Sequence, residues 1–393
     1  MKAQTRQFWI KIHRWLGLTA LAFLFIAAVT GSFLCFDKRI DAALNADLFY
    51  QTSTGACASP TALAARYQAQ HPELVVTSFP LNLPDNRTLQ LKVAPAAGNT
   101  ADFDEVYIDR ANGRVVGTRQ SGPGWDRRHI VEGIFLLHQN LVAGTWGRWI
   151  MGVAALGWFI GNFVGLYLTF PAKKPFWPKW KKKWKIDTGA RLRRLMLEIH
   201  NASGLWLLIP ATVLAYTSVA MNFFDEAFVP MVEATSPALP SMFDKAPSSA
   251  PAQGPGIGFA KALQIGGAAA KTDGLSWKPA LQRFSPAYNV YGVTFTDNGV
   301  ENYHALGPVT YYLDASDGRL VERDDPYHDS FGRKLIRSLY PLHSGEAAGW
   351  FGIAIIFILG LSTAEMCITG LYTWWKKRES RSVSKRAARP SRA

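Results

Sequence analysis

Cysteine is scarce in this chain of 393 residues, which has only three. Cys35 and Cys367 fall inside apolar runs and Cys57 stands alone, so the sequence implies no structural disulfide. No CxxCH motif marks covalent haem attachment. The basic segments also lack a GxGxxG after a strand and a GxxxxGK followed by Ser or Thr. No nicotinamide or nucleotide domain is therefore visible.

Charge is absent from three long apolar runs, residues 15–36, 149–172 and 201–224, and a fourth, 347–375, carries only Glu365. A bilayer core about 30 Å thick needs roughly 20 helical residues, so each run is long enough to span a membrane. The first run is too long for the apolar part of a signal peptide, and no small-residue cleavage site follows it. We therefore predict an integral membrane protein with four transmembrane α-helices.

Acidic residues are rare in three segments that are rich in basic ones. Residues 1–14, 173–200 and 376–393 hold 22 of the 43 Lys and Arg but only three acids. The positive-inside rule puts these segments, and with them both chain termini, in the cytoplasm. The segments 37–148 and 225–347 are then expected outside. Contact with lipid headgroups explains the basic clusters, and no nucleic-acid partner is expected.

These patterns divide the chain into nine parts. They are a cytoplasmic N-terminus (1–14), a first span (15–36), an external module (37–128), a second span with a histidine-bearing lead-in (129–172), a basic loop (173–200), a third span (201–224), a second external module (225–335), a fourth span with its lead-in (336–375) and a basic tail (376–393). Each module reads as α+β, with helices at 61–70 and 258–270, strands at 88–93 and 288–296, and hairpins at 106–116 and 310–321. Pro, Ser and Ala crowd residues 236–256, which we predict as a loop or linker.

The chain contains an internal repeat. The motif IleHis-x-x-x-GlyLeu occurs at residues 12–18 and again, offset by 187, at 199–205. LeuHis occurs at 137–138 and again, offset by 205, at 342–343. Other positions matched by the two offsets are Thr30 with Thr217, Gly144 with Gly349, Gly147 with Gly352 and Gly165 with Gly370. We expect two tandem copies of two spans each (2+2), related by a pseudo-twofold axis along the membrane normal.

The TyrIleAsp-x-x-x-GlyArg hairpin at residues 107–114, the two histidine motifs and the four-span layout resemble the PepSY-associated transmembrane family over nearly the whole chain. Within it, the chain is most similar to the bacterial iron-uptake members, the ferrioxamine-type siderophore reductases. The resemblance implies a multi-pass protein of the bacterial inner membrane with two periplasmic PepSY-like modules and two non-covalent haem b groups. It also implies reduction of a ferric siderophore, of the hydroxamate type, in the periplasm.

The repeat points to haem independently of the resemblance, because four histidines are matched between the copies. The axis places His13 and His200 at one depth near the cytoplasm, and His138 and His343 at another near the outside. A bis-imidazole haem on the axis takes one ligand from each copy. We predict the first pair as ligands of a cytoplasmic-side haem iron and the second as ligands of a periplasmic-side one. Histidines that only form hydrogen bonds at helix ends, or a copper or zinc site, are the alternatives.

Further polar residues have two interpretations each. Arg14 and Arg148 are candidates to pair with haem propionates or to reach the headgroups. Glu365 is expected to serve proton uptake or a quinol site, or else to be protonated or paired with Asn162 or Tyr216. The matched glycines are expected to let helices, or a flat macrocycle, approach closely. Four histidines without a repeat partner are expected on the surface or in turns: His71, His129, His304 and His328.

The second span poses a geometric problem. As one straight helix, residues 138–169 would extend roughly 46 Å, which would set the two haem layers far apart for electron transfer. The glycine-containing stretches 143–147 and 344–349 are therefore expected to break the helices and fold the outer histidines back toward the membrane.

The predicted activity is electron transfer across the membrane. A quinol or a separate donor protein reduces the inner haem, and the outer haem passes the electron to a ferric siderophore, which releases its iron on reduction. Two alternatives belong to other classes. One is a permease for a siderophore or chelate, and the other is a PepSY-type binding or regulatory membrane protein without redox activity.

Overall fold

The computed structural model describes residues 3–237, 241–244, 246–247 and 256–387; most of the predicted linker at 236–256 lies outside them, as does the end of the tail. The α-helices are α1 (Ala3–Leu34), α2 (Asp37–Leu44), α3 (Ala46–Phe49), α4 (Pro60–Gln70), α5 (Ile130–Asn140), α6 (Gly144–Thr169), α7 (Phe176–Lys181), α8 (Leu192–Trp206), α9 (Leu208–Asn222), α10 (Val229–Glu233), α11 (Gly258–Thr272), α12 (Phe331–Ser344) and α13 (Gly349–Ala387). The strands are β1 (Leu74–Pro80), β2 (Leu89–Pro95), β3 (Glu105–Ile108), β4 (Val115–Arg119), β5 (Lys278–Ser285), β6 (Val290–Thr296), β7 (Val309–Asp314) and β8 (Leu320–Asp324).

Three helical stretches in the described residues are long and apolar enough to cross a membrane: Gln4–Leu34, Gly144–Thr169 and Glu346–Ser380. A fourth span is present if α8 and α9 count together, although they are bent by 73°. Pro210 explains the bend, because it has no N–H for the carbonyl of Trp206 and its ring clashes with that carbonyl. The predicted third span is therefore not one straight helix.

The membrane helices also extend past the apolar runs on their basic side. Helix α1 begins at Ala3 rather than at residue 15, and α13 continues to Ala387 rather than ending at residue 375. Lys and Arg are good helix formers, so a basic flank does not end a helix. The basic segment 173–200 likewise contains α7 and the first turns of α8.

One antiparallel sheet of eight strands accompanies the membrane helices, in the order β4-β3-β2-β1-β5-β6-β7-β8. Strands β1–β4 come from the first external segment and β5–β8 from the second, and the two sets join where Ser78 of β1 lies opposite Arg283 of β5. The two modules predicted from the sequence are thus halves of a single sheet. An unpaired edge exposes backbone N–H and C=O groups, and the pairing of β1 with β5 removes one such edge from each half.

Helices α4 and α11 pack on one face of the sheet. The buried core between the layers includes Leu63, Ala64, Phe259 and Ala262 from the helices and Val76, Phe79, Leu91, Ile108, Phe284, Tyr291 and Leu313 from the strands. Burial of these apolar side chains is the main favourable contribution to folding here. The predicted helices and hairpins of both modules are confirmed. The hairpins turn at Gly113 (φ +73) and Gly318 (φ +80), a conformation that favours glycine.

Ion pairs connect the outer strands of the sheet to helices beside the membrane spans. Arg119 on β4 binds Asp41 on α2, which follows α1, with 2.9 Å between Nη1 and Oδ1. At the other end of the sheet, Arg333 and Arg337 on α12, which precedes α13, bind Asp324 on β8. The sheet is therefore held to the membrane helices at both ends.

Candidate functional site

The two helices that carry the outer histidines each turn back before the membrane helix that follows. Helix α5 ends at Asn140 and α6 begins at Gly144 (φ +57), while α12 ends at Ser344 and α13 begins at Gly349 (φ +57). A Cβ on Gly147 would lie 1.7 Å from the carbonyl oxygen of Asn140, and the corresponding glycine of the second half is as crowded. The predicted helix breaks are confirmed, and the straight helix of roughly 46 Å does not occur.

The four repeat-matched histidines form two facing pairs. His13 on α1 faces His200 on α8, with ring centroids 6.4 Å apart and ring planes at 76°. His138 on α5 faces His343 on α12, with centroids 6.2 Å apart and planes at 64°. We call them the inner pair and the outer pair. The structure brings together the same two pairs that the repeat predicts.

The spacing within each pair fits one metal ion between two imidazoles. Metal–imidazole bonds of about 2.0–2.1 Å, with roughly 1.1 Å from each nitrogen to its ring centre, set the centroids of two opposed ligands about 6.3 Å apart. The observed 6.4 Å and 6.2 Å bracket that value. Both pairs are edge-to-face, and direct edge-to-face ring contacts span about 4.5–7 Å, so the spacing suits a direct contact as well as a bridging metal.

Threonines on the neighbouring membrane helices hold the outer pair. The Nδ1 of His138 lies 3.0 Å from the hydroxyl of Thr30 and 3.1 Å from the carbonyl oxygen of Ala27. The Nδ1 of His343 lies 3.1 Å from the hydroxyl of Thr217. The sequence matched these two threonines through the repeat but gave them no role. Their shared offset was the signal that could have found them.

The inner pair is held less evenly. The Nδ1 of His200 lies 3.2 Å from the carbonyl oxygen of Met366 and 3.2 Å from the hydroxyl of Thr369. The Nδ1 of His13 is buried and faces Gly161 without a hydrogen bond of ordinary geometry.

In His138, His200 and His343, Nδ1 is engaged and Nε2 is the free ring nitrogen, whereas His13 has no hydrogen bond of ordinary geometry at Nδ1 either. In the described part of the chain, none of the four rings forms a hydrogen bond through this atom. Metal-binding histidines are typically anchored in this way, through the ring nitrogen that does not face the metal.

Three of the four rings pack directly against the backbone of a glycine. A Cβ would come within 2.9 Å of the Cε1 of His138 at Gly31, 3.2 Å of that of His13 at Gly165 and 3.4 Å of that of His200 at Gly370. Of the glycines singled out in the sequence, Gly147 and Gly352 shape the helix turns instead, as the helix-contact interpretation predicts. The glycines beside the rings keep the space around the imidazoles free of side chains.

A cavity of about 920 Å³ surrounds the inner pair, near the upper end of the range for cofactor sites. Many of its walls are small residues, including Gly157, Gly161, Gly165, Gly204 and Gly370. Among the described residues, its lining contains no Asp or Glu but seven basic residues, Arg6, Arg14, Lys183, Arg191, Arg193, Arg194 and Lys377, of which Arg194 is already paired with Asp187 and Glu198. A flat macrocycle with two carboxylates suits both the space and this charge.

The donor set favours haem over a copper or zinc site. Among the described residues, no group of three or more His, Cys, Asp or Glu side chains is placed to hold a metal ion. Zinc sites use three or four protein ligands. A haem supplies four nitrogens itself, so two imidazoles complete the coordination of its iron. The residues of the inner pair, with the cavity around them, therefore fit such a group, and the two imidazoles of the outer pair offer the same donors.

The four unmatched histidines have a different environment, because each lies beside a carboxylate outside the membrane helices. The Nδ1–oxygen distances are 2.9 Å for His71 with Glu73, 2.7 Å for His129 with Asp126, 2.8 Å for His304 with Asp297 and 2.8 Å for His328 with Asp325. This agrees with the predicted surface or turn positions.

Two expectations for charged residues need correction. Arg148 is occupied by Glu226, with 3.0 Å between Nη1 and Oε2, and this contact lowers the pKa of Glu226 to about 2. Arg148 is therefore not a free partner for a propionate, whereas Arg14 does line the inner cavity. Glu365 bonds to neither Asn162 nor Tyr216. Its carboxyl forms hydrogen bonds with Ser203 on the facing helix α8 and with Thr369, one turn further along its own helix α13.

Comparison with known proteins agrees with these features. The family model of the PepSY-associated TM region matches residues 10–377. The chain belongs to this family. It is therefore a membrane protein, which agrees with its candidate spans. No curated protein sequence gives a significant match to the chain, so the more specific resemblance to iron-uptake members stays a prediction.

Proposed function

We propose that this PepSY-associated TM protein is a di-haem b electron-transfer protein that reduces ferric siderophores on the outer side of the bacterial inner membrane. The observation that carries the proposal is the geometry of the two histidine pairs: each is spaced for one iron, and each leaves Nε2 free. When bound, a haem supplies one-electron exchange between Fe(III) and Fe(II). His13 and His200 would hold one group and His138 and His343 the other.

The depth of the two pairs supports transfer between them. Thr30, which touches His138, lies 17 residues after His13 on α1, since 30 minus 13 is 17. At 1.5 Å per residue this is about 25 Å along the helix. That separation is far below the roughly 46 Å of a straight second span, because α5 and α12 fold back.

The direction of transfer rests on the charge distribution. The basic segments at both ends of the chain and between α6 and α9 support a cytoplasmic location for the inner pair and for both termini. The sheet then lies in the periplasm, at the outer pair's side. We further propose that the chain is a duplicated 2+2 unit. Each half supplies a membrane helix pair, one ligand to each haem and four strands of the sheet.

A groove in the centre of the sheet is the proposed substrate site. It has a volume of about 510 Å³ and lies between the two ends that are held by ion pairs. Leu91 and Phe284 point into the core against α4 and α11, so their strand neighbours Lys92 and Arg283 point to the opposite face, where the groove is. The groove therefore opens on the face away from α4 and α11. The helices α2 and α12 contact the edge strands of the sheet through Asp41 and Arg337.

The lining of this groove offers several hydrogen-bond donors to an oxygen-rich ligand. Lys92 has no ion-pair or side-chain hydrogen-bond partner among the described residues, and Arg283 has Glu301 at 3.4 Å. Tyr312 adds a hydroxyl group, whereas Thr77 donates its hydroxyl to the backbone carbonyl of Lys92. The hydroxamate oxygens of a ferric chelate can accept hydrogen bonds from such groups. Reduction by one electron gives Fe(II), which hard oxygen ligands hold weakly, so the iron is released.

Stopped-flow spectroscopy on the protein in liposomes tests this function. Haem-replete protein is reduced anaerobically and mixed with a ferric trihydroxamate siderophore, or with the redox-inert gallium(III) complex of the same siderophore. We expect a b-type reduced spectrum that is reoxidised by the ferric complex alone, with Fe(II) captured by a ferrous chelator. Lys92→Gln with Arg283→Gln should raise the siderophore concentration needed for half-maximal rate, whereas Lys261→Gln on α11 should not.

Other outcomes separate the alternatives. A haem-replete preparation without a b-type spectrum would contradict the proposal. Uptake of the intact gallium complex into the liposomes would indicate a permease. A protein that does neither, and that tolerates Ala at all four matched histidines, would fit a binding or regulatory role.

A further inference from the structure

One carboxyl group lies inside the membrane helices beside the inner pair. Glu365 is on α13, and its carboxyl forms hydrogen bonds with Ser203 on α8 and with Thr369, one turn further along α13. The distance from Thr369 Oγ1 to Glu365 Oε1 is 3.2 Å. A carboxyl at this depth is costly to bury, which favours a functional reason for its presence.

The same threonine touches a proposed haem ligand. Thr369 Oγ1 lies 3.2 Å from the Nδ1 of His200. The hydroxyl can accept a hydrogen bond from the Nδ1–H and donate its own proton. The carboxyl of Glu365 is one acceptor within reach, and the backbone carbonyl oxygens of Glu365, at 3.0 Å, and Met366, at 3.3 Å, are the others. The three side chains thus form a chain of hydrogen bonds that ends on the ligand's back nitrogen.

This chain exists in one half of the molecule only. The positions that correspond to Glu365 and Thr369, 205 residues earlier, hold Ile160 and Val164. His13 accordingly has no comparable partner at Nδ1. For the outer pair, the described residues show no carboxyl bonded to Thr30 or Thr217. Their hydroxyls contact backbone carbonyls, as that of Thr369 also does, but only Thr369 has a carboxyl within reach as well.

A carboxyl that is hydrogen-bonded to the back nitrogen of a histidine changes the redox properties of the metal that the histidine binds. It polarises the Nδ1–H bond, increases the basicity of the ring and stabilises the more highly charged metal state. Outer hydrogen bonding of this kind is one of the means by which a protein sets the potential of a haem.

On the basis of the proposed function, we propose that Glu365 is a positioning residue that acts on His200 through Thr369 and lowers the midpoint potential of the inner site. The two sites then differ in potential although their ligands are alike. An electron that enters at the inner site moves downhill to the outer one, so the asymmetry gives the transfer its direction.

Potentiometric titration of the full-length protein in nanodiscs, followed by absorption spectroscopy, tests this inference. In Glu365→Gln we expect the midpoint potential of the inner site to rise by about 59 mV, a tenfold change in its redox equilibrium, with the outer site unchanged. Glu379→Gln is the matched control. It removes an acid from the same helix, but one that is about half exposed and pairs with Lys376, so it should shift the potential far less.

Thr369→Val keeps the carboxyl and breaks the connection, so it should raise the inner potential in the same direction as Glu365→Gln. The low-spin ferric EPR signal of the inner site should change in both variants and stay unchanged in Glu379→Gln. An inner potential that is the same in wild type and Glu365→Gln would overturn the inference. A shift in Glu365→Gln without one in Thr369→Val would overturn the route through Thr369. A wild-type protein without two b-type signals would instead contradict the proposed function.

Discussion

The four histidines outside the membrane helices each face a carboxylate, whereas the four repeat-matched ones face hydroxyls, backbone carbonyls and glycines. Two of the acid-paired histidines, His129 and His328, lie within three residues of the helices that lead into membrane helices. The chemical surroundings therefore separate the acid-paired histidines from the repeat-matched ones, although their positions in the chain do not.

This difference has a chemical meaning for the imidazole ring. A hydrogen bond to Asp126 raises the pKa of His129 and favours its charged form, in which both ring nitrogens carry protons. A metal ligand must instead present a neutral ring with a free nitrogen. The hydroxyl and carbonyl partners of His138, His200 and His343 engage Nδ1 and leave Nε2 available. These surroundings are the ones that the proposed haem ligands require.

Substitution of single histidines should give the largest difference between the two groups. In His343→Ala we expect the haem content to fall from two to one per chain and siderophore reduction to cease, because the outer site loses a ligand. His304→Ala is the matched control, since His304 lies near the start of α13 but pairs with Asp297. The pyridine haemochrome assay measures the haem content of both variants, and a ferrous chelator follows siderophore reduction. Equal loss of haem in the two variants would mean that the division between the groups has no functional basis.

The next largest effect is expected at the glycine beside the outer ring. A Cβ at position 31 would lie 2.9 Å from the Cε1 of His138, so Gly31→Val should displace the ring and remove most of the outer haem while the inner one remains. Gly267→Val, on α11 with open space around it, should leave both. Full haem occupancy in Gly31→Val would show that the ring does not need this space.

Much of the site could be predicted from the sequence because duplication leaves a measurable offset. Two offsets paired the histidines correctly, and the glycine-rich stretches correctly predicted the breaks before α6 and α13. The partners of the ring nitrogens could not be predicted in the same way. They depend on which helix lies beside which, as with Ala27 behind His138 and Met366 behind His200.

The fold was less predictable at the junction of its halves. Strands β1 and β5, which join the two halves, are the ones that the sequence pattern missed. Register shifts next to Ser78 and after Pro279 interrupt the alternation that marks a strand. The bend between α8 and α9 was also missed, because an apolar run shows length but not direction, although Pro210 was a visible signal.

Removal of the hydroxyl anchors should have an intermediate effect. Thr30→Val and Thr217→Val each keep the shape of the side chain but lose the contact to Nδ1 of His138 or His343. Loss of such an outer partner typically costs 10–100-fold in metal affinity, so we expect about that loss of haem affinity at the outer site only. Thr61→Val, at a buried threonine beneath the sheet, serves as the control. Competition with apomyoglobin measures the affinity, and unchanged retention would show that the hydroxyls do not hold the rings.

The smallest effect concerns an acid-paired histidine. The pKa of His129 is raised by Asp126, so the contribution of this contact to stability is fully present below the ordinary histidine pKa of about 6.5 and is lost as pH rises through the raised value. The pKa of Asp126 is lowered by His129, so the contribution is also lost as pH falls through that value. NMR titration should show His129 returning to an ordinary pKa in Asp126→Asn. An unchanged titration would contradict the assigned pairing.

The central claim is that His13 pairs with His200 and His138 with His343, each pair around one haem. The haem content of double variants tests it most directly. A variant within one pair, His13→Ala with His200→Ala, should retain one haem per chain. A variant across the pairs, His13→Ala with His138→Ala, should retain none. Loss of both haems in the first variant, or retention of one in the second, would contradict the account.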